Sequence, residues 1–271
     1  MDRTIRLGRV AHGRAIDAAV GLIRPAAYAP PVTSNPSVLL HVWCVGSTKV
    51  PAALGRMAWD HMLMQRSGAS FWRLLGTADA AGFSWRDTDL RRWALLSCWP
   101  DERSAEAFES SATVRGWDRL AQERVRLRLQ TLGTRGTWGG RRPFGPDRAL
   151  PPPSLSSSGP VAAITRARLH PARTRSFRRA VPPVAVQLRR APGLRLAMGV
   201  GEAPVGLQGT FSLWDDADAL TAFAYRASAH TQVVRRTGPA GWYTEELFAR
   251  FAVLEHEGGR DEGRLPRASD A

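Results

Sequence analysis

The sequence has little of several features that would point to a common class of protein. Among its 271 residues there are two cysteines, Cys44 and Cys98, which are too few for a disulfide framework and lack metal-ligand spacing. No apolar run approaches the roughly 20 residues that a membrane-spanning helix needs. Asp17 interrupts the apolar stretch of the basic N-terminus, so no secretion signal is indicated. These absences predict a cytoplasmic protein.

Lysine is also almost missing. Lys49 is the single lysine, and arginine supplies the rest of the cationic charge behind the net charge of +14. Such a surface can attract nucleic acid or an anionic membrane. Because no nucleic-acid-binding motif accompanies the charge, we expect no nucleic-acid partner and interpret most arginines as a solvated surface. A peripheral contact at the inner membrane face stays open.

Common catalytic and cofactor motifs are missing too. Gly199-Val200-Gly201 lacks the third glycine of a dinucleotide site, and there is no Gly-x-Ser-x-Gly nucleophile motif. Tryptophan, by contrast, is abundant, with ten residues. Those at predicted strand ends either wall a cavity for a large apolar ligand or plug the core. They are Trp72, Trp99, Trp214 and Trp242.

The stretch from Gln208 to Phe251 predicts a strand, a helix and a second strand. Polar and apolar residues alternate from Gln208 to Trp214, which is typical of a half-buried strand. Asp215-Asp216 then favour a helix start. One helical face carries Leu220, Phe223, Ala227, His230 and Val234, so His230 is predicted to point inward among apolar neighbours. A lone inward histidine is either a core residue or a metal ligand.

An internal repeat relates the two halves of the chain. Ser97 to Asp101 align without gaps with Ser212 to Asp216, and Ala107-Phe108 fall on Ala222-Phe223 at the same offset. At that offset Arg115 corresponds to His230, which fits a specialised site in the second half. The spacing of Trp138 and Phe144 also matches that of Trp242 and Phe248.

The repeat predicts an α+β fold of two ferredoxin-like βαββαβ repeats, packed sheet-to-sheet as an intrachain α+β barrel of the kind usually made by dimers. We expect a helix from Asp101 to about Leu129, broken near Gly116. The predicted organisation is a disordered arm over 1–36, the first repeat over 37–138, a Gly/Pro/Ser-rich linker over 139–159, the second repeat over 160–255 and a disordered tail over 256–271.

Several blocks together resemble the spheroidene monooxygenase family of bacterial carotenoid biosynthesis. They are Phe71 to Thr77 with Gly82-Phe83, Gly201-Glu202, Gln208 to Trp214, Ala222 to Tyr225 with His230, and Gly241 to Phe251. The resemblance covers roughly residues 38 to 255. It implies an oxidoreductase that uses O₂ to place a keto group on an acyclic carotenoid, with haem as cofactor and electrons from an external donor such as a ferredoxin.

The resemblance also implies site residues. His230 becomes the expected axial ligand of the haem iron. Gln208 and Ser212 are predicted as catalytic hydrogen-bonding groups, if their strand faces the haem. The expected cofactor-binding residues beside His230 are Phe223, Tyr225, Arg226, Ala227 and Trp242.

Two alternatives use the same fold. One is a cofactor-free barrel oxygenase that acts on a polycyclic natural product. The other is a non-catalytic protein that binds haem or lipid.

Overall fold

The computed structural model describes residues 36–79, 88–149, 159–180, 182–202, 207–226 and 240–259. Within these ranges the chain forms eight strands and six α-helices. The strands are β1 (Ser37–Val45), β2 (Phe71–Asp79), β3 (Thr88–Trp99), β4 (Ala121–Gly136), β5 (Val161–Leu169), β6 (Leu194–Gly201), β7 (Leu207–Trp214) and β8 (Tyr243–Gly258). The helices are α1 (Val50–Gln65), α2 (Glu102–Glu109), α3 (Ala112–Asp118), α4 (Thr174–Ala180), α5 (Pro182–Arg189) and α6 (Ala217–Arg226).

The strands close into one antiparallel barrel in the order β1-β3-β2-β6-β7-β5-β8-β4. Each half of the chain contributes four neighbouring strands, β4-β1-β3-β2 and β8-β5-β7-β6, which is the strand order of a ferredoxin-like sheet. The halves join at two seams, β4 with β8 and β2 with β6. The predicted α+β barrel made of two repeats within one chain is therefore confirmed.

Alternation along the strands separates the barrel interior from the outer faces. In β1, Val38, Leu40 and Val42 point into the barrel, whereas Leu39 and Trp43 contact the helices. The second half follows the same rule, with Phe211 and Leu213 inside and Trp214 outside. We call the helix-covered sides of the two half-sheets the first outer face and the second outer face.

The predicted helix from Asp101 to about Leu129 is wrong beyond residue 118. Helices α2 and α3 are followed by β4, which begins at Ala121. Val125, Leu127 and Leu129 point into the barrel, and arginines alternate with them. The helix propensities of Arg, Leu and Gln hid this period of two, because tertiary pairing with β1 and β8 decides the conformation.

Local contacts support the offset of 115 residues. Asp101 accepts a hydrogen bond from the Ser104 backbone N–H at 2.7 Å, and Asp216 accepts one from the Ala219 N–H at 2.7 Å, so both residues cap a helix. The proposed match of Trp138 and Phe144 with Trp242 and Phe248 is wrong. Trp138 and Phe144 follow β4 and pack inside the barrel, whereas Trp242 precedes β8 and packs outside it.

The barrel interior is a filled core. The segment after β4 turns back so that Trp138 contacts Phe71 and Phe144 contacts Phe251, with ring centroids 5.6 and 4.9 Å apart. The described part of the predicted linker, residues 139–149, thus packs on the barrel. Trp99, Trp214 and Trp242 are also buried, so these three tryptophans act as core residues rather than exposed cavity walls.

No helix within the described ranges is both long and apolar enough to cross a membrane. The disordered tail predicted over 256–271 is wrong at its start, because residues 256–258 end β8 and pair with β4. The arm up to residue 35 and the tail from residue 260 lie outside the described residues, and their disorder stays a prediction.

Candidate functional site

Strand register gives a direct comparison of the two outer faces. Ser97 in β3 pairs with Leu39 and Trp72, and its counterpart Ser212 in β7 pairs with Ala163 and Ala197. Two residues earlier in the same strands, and so on the same face, Leu95 pairs with His41 and Leu74. Its counterpart Thr210 pairs with Thr165 and Gly199. Large side chains of the first half are thus replaced by small ones in the second.

The first outer face is filled by bulky side chains. Leu39, Trp43 and Leu95 are fully buried beneath the helices. Trp43 stacks on Trp117 of α3 with ring centroids 5.4 Å apart, and its indole N–H donates to Asp118 at 2.8 Å. Side chains therefore fill the space between this face of the sheet and its helices.

The second outer face is lined by small residues and is less covered. Ala163, Ala197 and Thr210 are half-buried, and Thr165 is exposed where its counterpart His41 is fully buried. Ala163 and Ala197 belong to a cluster with Leu188 of α5 and Leu220 of α6, and Trp214 packs on Phe223 of α6 with ring centroids 5.4 Å apart. The strand surface of this face is thus a wall of alanine, threonine and glycine with an aromatic pair at one end.

One arginine of β8, Arg250, lies beside this wall. It follows the outward-facing Phe248 in the strand alternation, between the interior residues Ala249 and Phe251. Burial lowers the pKa of the guanidinium, whereas a hydrogen bond to Tyr225 of α6 raises it. No carboxylate of the described residues contributes to this pKa. A half-buried cation beside a phenol is suited to bind an anionic group of a ligand.

The structure brings some of the predicted site residues to this face. Phe223 and Tyr225 both lie on α6, one against Trp214 and the other against Arg250. The Ser212 hydroxyl accepts the Trp214 indole N–H at 2.9 Å, and Ser97 accepts that of Trp99 at 3.0 Å. The hydrogen bond from tryptophan to serine is therefore part of the repeated fold.

Trp242 lies in a separate cluster with Leu169 and Phe177, and its indole N–H donates to Ser176 of α4 at 2.9 Å. Ala227 and His230 lie outside the described residues. The backbone of Gln208 pairs with Ala167, and Arg226 ends α6, but their side chains are not described. The roles assigned to these residues stay predictions.

The interior end of the barrel carries a second cluster of charges. Glu245 binds Arg166 and accepts hydrogen bonds from Thr137 at 2.9 Å and from the Gly140 N–H at 2.7 Å. Burial would raise the Glu245 pKa, but these contacts lower it to about 2. Glu246 pairs with Arg135 at 3.0 Å. Both carboxylates thus pair with arginines, and Glu245 has a structural role.

Sequence reasoning missed Arg250 and the small residues of the second outer face. Leu39 and Ala163 occupy equivalent positions of β1 and β5, which are 124 residues apart, whereas β3 and β7 are offset by 115 residues. The exchange of leucine for alanine is present in the sequence, but only the strand pairing gives this second offset. No group of three or more metal-binding side chains occurs within the described ranges. A site made of one histidine and a porphyrin is a different kind of site, and a small-residue wall beside a half-buried arginine fits such a group.

Comparison with known proteins addresses the family. No family model matches the chain. The spheroidene monooxygenase of Rhodobacter capsulatus is 33% identical over 215 residues, covering 79% of this chain and 88% of the relative. That of Rubrivivax gelatinosus is 36% identical over 192 residues, covering 70% of this chain and 71% of the relative.

The chain belongs to the spheroidene monooxygenase family. Family membership makes it a monooxygenase, an oxidoreductase that uses O₂. Among solved structures, an aldoxime dehydratase in complex with butyraldoxime matches with a TM-score of 0.54 and 16% identity, covering 83% of this chain and 81% of that one. At this identity the match supports the barrel fold alone. It adds nothing about the reaction of this spheroidene monooxygenase family member.

Proposed function

We propose that this monooxygenase places a keto group on a long, apolar polyene of the acyclic carotenoid class, with haem bound against the second outer face. The relatives' name, spheroidene monooxygenase, supports the substrate class. The observation that carries the haem proposal is the exchange of bulky residues for small ones between equivalent positions of the two outer faces. A planar macrocycle needs such a flat, apolar wall, and the first outer face has no room for one.

Arg250 and Tyr225 supply the polar side of the proposed site. Haem carries two propionate groups, and charge-assisted hydrogen bonds from a cation offset the cost of removing them from water. Arg250 would bind a propionate, and its hydrogen bond to Tyr225 would hold the guanidinium in place. His230 remains the proposed iron ligand. Arg226, Ala227 and Trp242 remain proposed cofactor contacts.

When bound, haem would supply an iron centre for the activation of O₂, using electrons from an external donor such as a ferredoxin. The protein residues would then bind, orient and exclude water. Phe223, packed on the buried Trp214, would form an apolar border at one end of the wall. Ser212 uses one lone pair to accept from Trp214, which leaves its hydroxyl proton free to donate. Gln208 is the second proposed hydrogen-bonding residue.

The test is the absorption spectrum of protein purified from cells supplied with a haem precursor. Ala197→Trp copies Trp72 into the second outer face, and we expect the Soret absorbance per mole of protein to fall at least about tenfold, because overpacking opposes binding. Trp72→Ala, the reverse exchange in the first half, is the matched control and should keep the band.

Because Ala197→Trp could disturb folding, His230→Ala is the second variant and Arg115→Ala its control. We expect His230→Ala to lose the Soret band with an unchanged circular dichroism spectrum, while Arg115→Ala keeps both. A full Soret band in Ala197→Trp and His230→Ala would overturn the haem proposal. Full turnover by iron-free protein would select a cofactor-free oxygenase, and bound haem without O₂ consumption would select a carrier.

A further inference from the structure

Helix α1 differs from an ordinary surface helix because it buries a carboxylate and exposes large apolar side chains. Asp60 is fully buried, on the side that also carries Ala53 and Met64. The solvent side carries large apolar residues: Leu54 is 48% exposed, Trp59 58% and Met62 50%. Isolated apolar residues are common on protein surfaces, but three on one helix of 16 residues form a patch.

Specific contacts fix this orientation. Arg56 pairs with the buried Asp60 at 2.7 Å and donates to the Ala112 and Thr113 carbonyl oxygens of α3, each at 3.3 Å. Rotating α1 to bury Trp59 would break the hydrogen bonds from Arg56 to α3, carry Asp60 toward solvent and expose Met64. The apolar face is therefore held outward by the fold.

Helix α5 continues the same kind of surface across the β2–β6 seam. His61 of α1 contacts Trp72 of β2, with ring centroids 4.7 Å apart, and Leu188 of α5 packs with Ala197 of β6. Since β2 and β6 are neighbours, the two helices flank one seam of the barrel. The outward residue of α5 is Val186, and Pro182 and Pro183 are also exposed.

The charges around these helices have one sign. Lys49 precedes α1, Arg66 follows it and Arg190 follows α5, and all three are exposed. The single acidic residue within either helix is the buried Asp60. Apolar side chains including tryptophan, with cations at the helix ends and no exposed carboxylate in the helices, are typical of a helix that lies in the interface of an anionic bilayer.

We infer that α1, extended by α5, docks the protein on an anionic lipid surface, with Leu54, Trp59 and Met62 inserted among the acyl chains. At 16 residues α1 is about 24 Å long, so it lies along the surface. This inference rests on the surface of the helices and is independent of the proposed haem site. The seam that α1 and α5 flank also borders β6, so the second outer face would lie close to the membrane.

The experiment is co-sedimentation of the full chain with vesicles of phosphatidylcholine containing phosphatidylglycerol, and with vesicles of phosphatidylcholine alone. We expect binding to the anionic vesicles that weakens with salt. The double variant Trp59→Ser/Met62→Ser should lower the partition coefficient by roughly tenfold or more, because most of the inserted apolar area is lost.

Leu254→Ser is the matched control, because Leu254 is 52% exposed but belongs to β8, at the opposite seam of the barrel. It should bind like the wild type. Among charge variants, Lys49→Glu should weaken binding to anionic vesicles, and Arg103→Glu on α2 should weaken it less.

Equal binding by the double variant and the wild type would overturn the inference, as would no binding to anionic vesicles. A dimer in analytical ultracentrifugation that dissociates in Trp59→Ser/Met62→Ser would assign the face to a second copy of the chain instead. Haem content should be the same in all these variants, so failure here is distinct from failure of the haem proposal.

Discussion

The two outer faces share a backbone plan but differ in how they are filled. The first buries a polar network in which His41 donates to Glu109 at 2.9 Å and Arg126 contacts the same carboxylate at 3.0 Å. The strand pairing and the offset of 115 place Thr165, Ala224 and Phe248 at the equivalent positions of the second half. The first face is a completed core, and the second is a wall with small side chains.

With the proposed haem site on the second outer face, this difference would separate stability from function in a duplicated barrel. The interior and the first outer face contain most of the fully buried large side chains of the described residues. The second outer face can then give up packing, at a cost in stability that the rest of the barrel offsets. Three pairs of substitutions test this division, from the largest expected effect to the smallest.

Trp43→Ala should reveal how much stability the first outer face holds. Its counterpart is already alanine, Ala167, yet Trp43 is fully buried and stacked on both His41 and Trp117. We expect the free energy of unfolding to fall by about 3–5 kcal/mol, measured by urea denaturation. Trp59→Ala, at an exposed position, should change it by less than about 0.5 kcal/mol. Similar losses in both variants would contradict the comparison.

The network around Glu109 should make the first half sensitive to acid. Burial opposes ionisation of Glu109, but the hydrogen bond from His41 and the charges of His41, Arg126 and Arg124 lower its pKa to about 2. Because this pKa lies below the unfolded value of 4.5, the carboxylate stabilises the fold above pH 4.5, and that stability is lost as pH falls toward 2. Burial lowers the pKa of His41 below 6.5, so protonation of His41 also favours unfolding as pH falls below 6.5.

Glu109→Gln should therefore cost about 1–3 kcal/mol at pH 7 and reduce the dependence of the urea midpoint on pH between 6 and 3. Glu106→Gln, an exposed carboxylate on the same helix, is the control and should keep the dependence of the wild type. A Glu109→Gln profile parallel to that of the wild type would show that the network does not control acid stability.

The matched serines give the smallest and most specific comparison. Ser97→Ala and Ser212→Ala each remove the acceptor of a buried indole N–H, so both should lower the free energy of unfolding by about 1 kcal/mol. If Ser212 also takes part in the reaction, its loss alone should lower kcat at unchanged haem content. Equal kcat values in the two variants would leave Ser212 with only the structural role.

Much of the fold was predictable because the same local contacts occur in both halves of the chain. Asp101 and Asp216 cap helices, and Ser97 and Ser212 accept from tryptophan, so the matching residues marked equivalent positions. β4 was missed because Arg, Leu and Gln favour helices in isolation. The alternating Arg124, Arg126 and Arg128 were the available signal.

The site was less predictable, because its evidence lies in differences between strands that are distant in sequence. Ala163 and Ala197 become significant only when the strand pairing sets them opposite Ser212. Arg250 gains meaning only from its burial and from its hydrogen bond to Tyr225. His230 was chosen from helical periodicity and from family resemblance, and its role stays a prediction.

The two seams of the barrel differ in the number of residue pairs between described residues. There, β4 and β8 are joined over eleven residue pairs, whereas β2 and β6 share four. The β2–β6 seam is thus a place where the barrel can open without disrupting the strand pairing inside either ferredoxin-like half. Local opening should be most frequent at this seam, between α1 and α5. With the proposed substrate and the proposed membrane docking, a long, stiff polyene would then meet the most easily opened part of the barrel at the lipid surface.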